Sequence, residues 1–504
     1  MPSHQASYSS WVCATILWTL SGCQTQPVSS LQPKQPNIVV FFVDDLGWQD
    51  VSEPFHIERT DWNKRYQTPN VERLCRGGTK FTQAYAHPVC TPSRVSLMTG
   101  MAAARHRVTH WTLHPDQPTD PERKGLLRTD WNTSGLSNDP STSHAVQSET
   151  LAQRMQTAGY RTIMVGKAHF GAIGTPGADP CNLGFDVNVA GHAAGAPSSY
   201  LAKRSFLRKP SDKIWQPPGL SEYHGQDRFL TDVLTDEAIK EVETARRSNE
   251  PFFLYLAHYA VHTPLDPDNR FVKQYRSAGL PEPEARYAAL VQGMDHSLGR
   301  VLDWLDQKGL AKETIVVFTS DNGGLSAHAR SGAKHTHNSP LKSGKGSAYE
   351  GGVRVPFAIR WPGKIRSDAT DTLPIQLEDL MPTLCDLVNL DPTCPDGTSF
   401  APALSGKPQA THPLFFHHPH YWGATGPGIE PFSAVRDGDL KFVWFYEQGR
   451  GELYDVVNDV GETNDLSNTH NAAAQRLRQL LRKHLADCDA QVPTRKDGTA
   501  LARP

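Results

Sequence analysis

Four short, largely apolar runs, each followed by polar residues, constrain the fold of this chain most. They cover Asn37–Val43, 161–165, Phe252–Ala257 and Thr314–Ser320. A continuous apolar run is typical of a strand that is covered on both faces, as strands are in a parallel sheet. The runs therefore predict a buried and mostly parallel sheet.

Segments with a helical pattern lie between these runs. One begins at a cap formed by Ser148, has Leu151 and Met155 on one face, and ends at Gly159. Another covers about 285–308 and has a stripe of apolar residues along one face. Alternation of strands and helices is typical of an α/β sheet with helices on its faces.

The pattern changes towards the C-terminus. Apolar stretches at 432–436 and 440–446 flank an Asp-Gly-Asp turn, which predicts a hairpin, and a helical pattern follows at 472–488. A chain of 504 residues is long enough for two domains. We therefore expect a catalytic α/β domain over 37–400 and a small α+β domain over 401–504.

Two long stretches, 101–145 and 171–228, lack this regularity and are rich in His, Pro, Gly, Ser and Trp. Loops of such length in a compact domain are often functional.

The eight cysteines form no CxxC pair, so a zinc ribbon or a thioredoxin-type motif is not expected. Cys385 and Cys394 are close enough in sequence to pair in an oxidising compartment, and whether they do stays open. The net charge of -2 gives no electrostatic reason to expect a nucleic acid partner.

The N-terminal segment predicts export. Residues 11–20 form an apolar run that is too short to span a bilayer but suits the core of a signal peptide. Leu20-Ser21-Gly22-Cys23 resembles a bacterial lipobox, although no Lys or Arg precedes the run; an ordinary signal peptide with an incidental cysteine is the alternative. We expect a signal peptide over 1–22 and a polar tether over 23–36. The protein would be periplasmic or anchored to the outer membrane of a bacterium, touching the membrane only through a lipid at Cys23.

Chemically active side chains follow all four predicted strands. Ligands of parallel sheets bind beyond the carboxyl ends of the strands, so these side chains should meet at one rim. Asp-Asp or Asp-Asn-Gly alone is common in turns, but four coincidences at one rim are harder to explain in that way. Three carboxylates and one amide oxygen suit calcium or magnesium better than zinc. The residues are Asp44 and Asp45 after the first run, Lys167 and His169 after the second, His258 and His262 after the third, and Asp321 and Asn322 after the fourth.

The most specific pattern is Cys90-x-Pro92-x-Arg94, followed by Val-Ser-Leu-Met-Thr-Gly. With this motif the chain resembles the type I, formylglycine-dependent sulfatase family. The resemblance covers nearly everything from Pro36 to the C-terminal domain. It implies an alkaline-phosphatase-like fold, with a central mostly parallel sheet flanked by helices and a small C-terminal α+β domain. It also includes Gly166-Lys167-x-His169, Asp321-Asn322-Gly323, Lys345-Gly346, the stretch from Glu350 to Pro356, and Glu452-Leu453-Tyr454-Asp455.

The resemblance also implies a mechanism. A maturase oxidises Cys90 to Cα-formylglycine; one hydroxyl of its hydrate attacks sulfur, and the other then loses its proton and expels sulfate by elimination. Pro92 fits the first turn of a helix, which would place Cys90 near a helix N-terminus that favours anions. The implied metal is calcium, with magnesium less favoured, and its implied ligands are Asp44, Asp45, Asp321, Asn322 and the modified Cys90. The other implied roles are Arg94 holding the hydrate, Lys167 and Lys345 neutralising sulfate oxygens, His169 bonding the hydrate, and His262 as general acid, for which His258, His87, His110 and His192 compete.

The expected reaction is hydrolysis of a sulfate ester, and the export signal and Trp-rich loops suit a sulfated saccharide as substrate. Two alternatives stay open. One is a phosphatase or phosphonate monoester hydrolase of the same superfamily; some phosphonate hydrolases also carry CxPxR but typically use a different metal set, with His ligands. A catalytically inactive glycan-binding relative would show a broken set of site residues, whereas every expected position is filled here.

Overall fold

The computed structural model describes residues 7–11, 35–123, 125–327, 330–499 and 501–504. The lipobox at 20–23 lies outside these residues, so the signal peptide, the tether and the lipid anchor stay predictions. In the described part of the chain, no helix is long and apolar enough to cross a membrane. The residues Gln35–Pro504 form one compact unit. The predicted domain boundary at residue 400 stays a prediction.

The described strands form a large mixed sheet, a small antiparallel sheet and a two-stranded pair. The large sheet has the order β10-β2-β9-β8-β1-β7-β5-β6, and β11 also pairs with β2. Its strands from β8 to β6 run parallel to one another, while β9 is antiparallel to both of its neighbours. The strands are β1 Asn37–Val43, β2 Thr79–Tyr85, β3 Gly135–Leu136, β4 Ala145–Val146, β5 Arg161–Gly166, β6 Val187–Val189, β7 Phe252–Ala257, β8 Thr314–Ser320, β9 Arg354–Arg360, β10 Ala369–Asp371, β11 Ile375–Gln376, β12 Leu414–His418, β13 Phe432–Asp437, β14 Leu440–Phe445 and β15 Arg450–Asp455.

Helices cover both faces of the large sheet, and short 3₁₀ helices lie in the connections. The predicted α/β fold is therefore confirmed. The helices are α1 Asp61–Arg65, α2 Pro69–Arg76, α3 Cys90–Thr99, α4 Ala103–His106, α5 Leu151–Thr157, α6 Leu230–Arg247, α7 Val272–Ser277, α8 Glu282–Gln307, α9 Glu350–Val353, α10 Leu380–Leu387, α11 Ala401–Leu404 and α12 Asn471–Asp487.

The central strand β1 contains the uninterrupted apolar run Ile38–Val43, and burial on both of its faces explains this run. Side chains of a strand alternate between the two faces of the sheet. Val39 and Phe41 pack with α6 and α8 in the core on one face. Val40 and Phe42 pack with α3, α5 and α10 in the core on the other face. Because both faces are covered, the residues Ile38–Val43 of β1 are all apolar.

The predicted start of α5 was wrong by two residues. The cap is Thr150 rather than Ser148, since Thr150 Oγ1 accepts from the Gln153 amide at 3.0 Å and the Gln153 side chain accepts from the Thr150 amide at 2.8 Å. This reciprocal pair is a capping box and satisfies two amides that a serine two residues earlier would leave unpaired.

The C-terminal part is an antiparallel sheet, β12-β13-β14-β15, packed against α12. The predicted hairpin is confirmed, because β13 and β14 pair with Asp437 opposite Leu440. This sheet docks on the catalytic part through a buried ion pair between Lys441 and Glu350, whose Nζ and Oε1 atoms are 3.0 Å apart. Cys385 and Cys394 are both free, so the disulfide that the sequence left open is not formed in this structure.

Candidate active site

Neighbouring parallel strands bring the predicted residues to one rim of the large sheet. Asp44 and Asp45 directly follow β1, and Asp321 and Asn322 directly follow β8, its neighbour on one side. Lys167 follows β5, which lies beyond β7 on the other side. All five residues are fully buried. The carboxyl ends of the strands thus gather three carboxylates, an amide and an ammonium group.

Three oxygen atoms at this rim lack a hydrogen-bond donor among the described residues. They are Asp44 Oδ1, Asp45 Oδ2 and Asn322 Oδ1. The other oxygens of the two carboxylates are occupied, since Asp44 Oδ2 lies 2.7 Å from Lys167 Nζ and Asp45 Oδ1 lies 2.5 Å from Lys345 Nζ. Buried polar atoms are nearly always paired, so three unpaired oxygens at one point indicate a cation site. Hard oxygen donors of this kind fit calcium or magnesium.

The charges at the rim fit the same interpretation. Burial raises the pKa of Asp44 well above its usual value. Burial also opposes the ionisation of Asp45 and Asp321, but the cationic neighbours together, Lys345 foremost at Asp45 and Arg94 foremost at Asp321, outweigh it and lower the pKa of each carboxyl. A divalent ion would take the place of the proton that Asp44 favours in this environment, because metal ligation requires the ionised carboxylate.

Arg94 donates to the carboxylate of Asp321. Its Nε and Nη2 atoms donate to Asp321 Oδ2 at 2.9 and 2.7 Å, and its Nη1 donates to the Lys167 carbonyl at 2.7 Å. Both side chains of the Arg94–Asp321 pair are fully buried. The guanidinium therefore fixes the Asp321 carboxylate, and the predicted contact of Arg94 with a hydrate at Cys90 stays a prediction.

Cys90 is the first residue of α3 and is almost completely buried. Its Sγ lies 3.4 Å from His169 Nδ1, while His169 Nε2 lies 2.9 Å from the Thr112 carbonyl. A carbonyl only accepts, so Nε2 donates and Nδ1 of the neutral ring faces Cys90 as an acceptor. A Cβ on Gly195 would lie 2.3 Å from the His169 ring, so only glycine leaves room for this orientation. Burial raises the pKa of the Cys90 thiol.

His262 lies beside the Asp44 and Asp45 carboxylates of the candidate cation site. Its Nδ1 donates to the Thr263 carbonyl at 2.7 Å, and its Nε2 lies 3.6 Å from Asp45 Oδ2. Ligand atoms of Asp44, Asp45 and His262 all lie within 4.8 Å of one another. Burial lowers the pKa of His262 to about 3, so at neutral pH its Nε2 carries a lone pair.

The histidines that compete with His262 have other environments. His258 is buried against Phe41, and its Nε2 bonds Ser297 Oγ at 2.8 Å. His87 bonds Ser96, and His110 packs in a buried cluster with His418 and His420. The backbone of His192 accepts from the His169 amide at 3.1 Å. Among the described residues that line the cavity at Cys90, only His169 and His262 are histidines.

A cavity of about 650 Å³ opens above Cys90. His169, His262 and Lys345 lie at its catalytic end. Lys345 therefore reaches the cavity, whereas Lys167, which was predicted to play the same role, is bonded to Asp44 and is not among the described lining residues. Three tryptophans and a second lysine also line it, and the described lining includes no acidic residue: Trp111, Trp215, Trp422 and Lys334.

Several of these residues were missed from the sequence. Trp111, Thr112, Gly195 and Trp215 lie within the two irregular stretches that were expected to be functional, so their location was signalled but not their roles. Trp422 and Lys334 reach the cavity from loops outside those stretches. No local pattern marks either position, because the fold alone brings those loops together.

Comparisons with known proteins agree with this geometry. A family model described as Sulfatase matches residues 36–390, and one described as N-sulphoglucosamine sulphohydrolase, C-terminal, matches residues 344–491. A protein named Sulfatase from Formosa agariphila is 29% identical over 487 residues, covering 86% of this chain and 84% of that protein. Arylsulfatase A from Homo sapiens is 29% identical over 490 residues, covering 86% and 83%.

A solved structure shares the same architecture. The crystal structure of Ps i-CgsB in complex with k-i-k-neocarrahexaose matches with a TM-score of 0.71 and 26% sequence identity, covering 90% of this chain and 93% of that one. The family model spans well over half of the chain, including every residue at the rim. The chain therefore belongs to the sulfatase family and is a sulfuric ester hydrolase.

Proposed function

We propose that the protein removes sulfate from a sulfated saccharide, using a formylglycine formed from Cys90 and a calcium ion at the rim. The observation that carries the proposal is the group of unpartnered oxygens on Asp44, Asp45 and Asn322, which lies at the same strand ends as the Cys90 helix. Magnesium is the less favoured ion, because a site assembled from several protein oxygens suits calcium better.

The state of Cys90 supports its modification. A cysteine that acts as a nucleophile needs a lowered pKa, whereas burial raises the pKa of this thiol. Once formed, formylglycine would supply a hydrate with two hydroxyl groups at the first residue of α3, where backbone amides favour anions. His169 Nδ1, 3.4 Å from Sγ, is oriented to accept a proton from one of these hydroxyls. Formation requires a maturase as a partner.

The cationic side chains have two roles: one acts on the sulfate ester, and the others position the carboxylates. Lys345 lines the cavity and would stabilise negative charge on the sulfate oxygens as the ester bond breaks. Lys167 holds Asp44, and Arg94 holds Asp321, so both position the oxygen donors. A bound calcium ion would add Lewis-acid polarisation at the same point.

His262 is our candidate for the general acid. It lines the cavity with Nε2 directed towards Asp45, but its lowered pKa keeps it neutral before substrate binds. A nearby negative charge favours the protonated imidazole, so binding of an anionic sulfate ester raises its pKa. The proton gained in this way is the one that His262 donates to the departing oxygen.

A saccharide fits the shape and lining of the cavity. Its volume of about 650 Å³ is larger than a sulfate group needs, and tryptophan side chains line it. The neighbour Ps i-CgsB was crystallised with k-i-k-neocarrahexaose, a sugar ligand. An exported protein, as the N-terminal segment predicts, would meet such polymers outside the cytoplasm.

Rates on paired aryl sulfate and aryl phosphate substrates test the proposal. Protein coexpressed with a maturase and supplied with calcium should hydrolyse the sulfate with the higher kcat/KM. A higher kcat/KM for the phosphate would favour a phosphatase or phosphonate hydrolase. Tight saccharide binding without turnover, in protein modified at Cys90, would favour the glycan-binding alternative.

A further inference from the structure

The cavity holds a cationic side chain that the reaction as described does not use. Lys334 lines the cavity and is exposed, and among the described residues it has no carboxylate within ion-pair distance. The other lysine of the lining differs, because Lys345 lies 2.5 Å from Asp45. Lys334 therefore offers its charge to whatever enters the cavity.

Each carboxylate at the catalytic end of the cavity already has a cationic partner other than Lys334. Asp44 pairs with Lys167, Asp45 with Lys345, and Asp321 with Arg94. The described lining of the cavity has no acidic residue that could neutralise a further lysine. Because no acidic side chain of the described lining neutralises Lys334, its charge favours a negatively charged ligand group in this part of the cavity.

Lys334 lies on a continuous wall that starts at the catalytic end. Trp422 lies 5.8 Å from Lys345 Nζ and packs with Ala424. Two residues further on, Gly426 packs so closely on the ring of His335 that a Cβ there would lie 2.2 Å from it. His335 is the neighbour of Lys334 in sequence, so this contact places Lys334 near the loop that carries Trp422.

We propose that the natural saccharide carries a second negative group, a carboxylate or a second sulfate, beside the sugar that bears the scissile sulfate, and that Lys334 binds this group. The inference rests on the proposed function and narrows its substrate class. Lys334 would be a specificity residue, since it acts on a part of the substrate that does not react. Tryptophan faces would hold the sugar rings, and Lys334 would select for their charge.

The test compares three matched oligosaccharides that share the scissile sulfate: one with a neutral neighbouring unit, one with a second sulfate and one with a uronate carboxylate. The wild-type enzyme should prefer at least one of the doubly charged substrates in kcat/KM by about 2- to 5-fold, the usual effect of an exposed ion pair. The more strongly preferred substrate identifies which of the two groups is bound.

Two variants test whether Lys334 causes the preference for a second negative group. Lys334→Met should bring the ratio of doubly to singly charged substrates close to one, and Lys334→Arg should retain most of it. Lys203 is an exposed lysine outside the described lining of the cavity, so Lys203→Met should leave the ratio at the wild-type value. The preference should also weaken with added salt, because exposed charges are screened.

The outcomes separate this inference from the proposed function. Absence of turnover on every sulfate ester, nitrophenyl sulfate included, would overturn the proposed function. Turnover with no preference for a second charge, or with a preference that survives in Lys334→Met, would overturn the role of Lys334 alone.

Discussion

Replacing Lys441 with methionine should destabilise the protein strongly, because it leaves two carboxylates buried without their shared cation. Lys441 Nζ lies 3.0 Å from Glu350 Oε1 and 3.0 Å from Glu462 Oε1, and all three side chains are 0% exposed. Methionine preserves most of the side-chain volume but carries no charge. The variant thus isolates the electrostatic contribution at the contact between the C-terminal sheet and the catalytic part.

The loss in the free energy of unfolding depends on the contacts that the two carboxylates retain in the variant. Removing one partner of a buried ion pair costs about 3–5 kcal/mol. Glu350 retains Arg354 at 3.3 Å and a bond from Tyr85 at 2.7 Å, and Glu462 retains a bond from the Glu350 amide at 2.7 Å. Because of these remaining contacts we expect the lower end, a loss of about 3 kcal/mol in the free energy of unfolding.

The loss should depend on pH in a defined direction. Burial raises the pKa of Glu462 to about 7, above its unfolded value, even with Lys441 present. The fold therefore favours the protonated carboxyl, and the penalty grows as pH rises through the folded pKa. Without Lys441 the deficit should be largest at pH 8 and should shrink as pH falls towards the unfolded value of about 4.5.

Urea unfolding at pH 8 and pH 5.5, followed by far-UV circular dichroism, measures both effects. Lys483→Met is the control, because Lys483 pairs with Asp487 at 2.5 Å but its side chain is 72% exposed. Exposed pairs contribute little, so this variant should unfold like the wild type. A Lys441→Met variant that unfolds like the Lys483→Met control at pH 8 would refute the reasoning.

Chelation should abolish activity and lower the melting temperature, and calcium should restore both; restoration by zinc alone would count against the oxygen-donor site. His262→Ala should slow desulfation of a saccharide about 100- to 10,000-fold but slow nitrophenyl sulfate hydrolysis far less, because a good leaving group needs no acid. Lys345→Ala should impair both substrates comparably, and equal damage by His262→Ala would show that His262 is not the acid. Protein made in its host should partition with membranes, and Cys23→Ser should release it or block its processing; wild-type protein found only in the soluble fraction would point to an ordinary signal peptide.

Much of the fold and of the rim could be predicted from the sequence because their signals are local. Two-sided burial requires the apolar run of β1, and parallel pairing then brings Asp44 and Asp45 beside Asp321 and Asn322. Parallel pairing of β5 with β7 likewise places Lys167, which follows β5, at this rim. Strand pattern plus strand direction was therefore sufficient for these positions.

Other features depend on tertiary contacts that no local pattern encodes. His258 and His262 lie four residues apart after the same strand, yet one bonds Ser297 in the core and the other lines the cavity. Trp422 and Lys334 enter the cavity from loops that are distant in sequence. Arg94 is buried and donates to the Asp321 carboxylate, a contact that the sequence did not indicate, while its expected contact with the hydrate stays a prediction.

The mass of the tryptic peptide that contains Cys90, measured on fully active enzyme, tests the central claim most directly. Conversion of the thiol to an aldehyde should lower the peptide mass by about 18 Da. Across preparations that are modified to different extents, specific activity should rise in proportion to the modified fraction. Cys90→Ala should fold normally and show no turnover. An unmodified thiol in fully active enzyme would contradict the account.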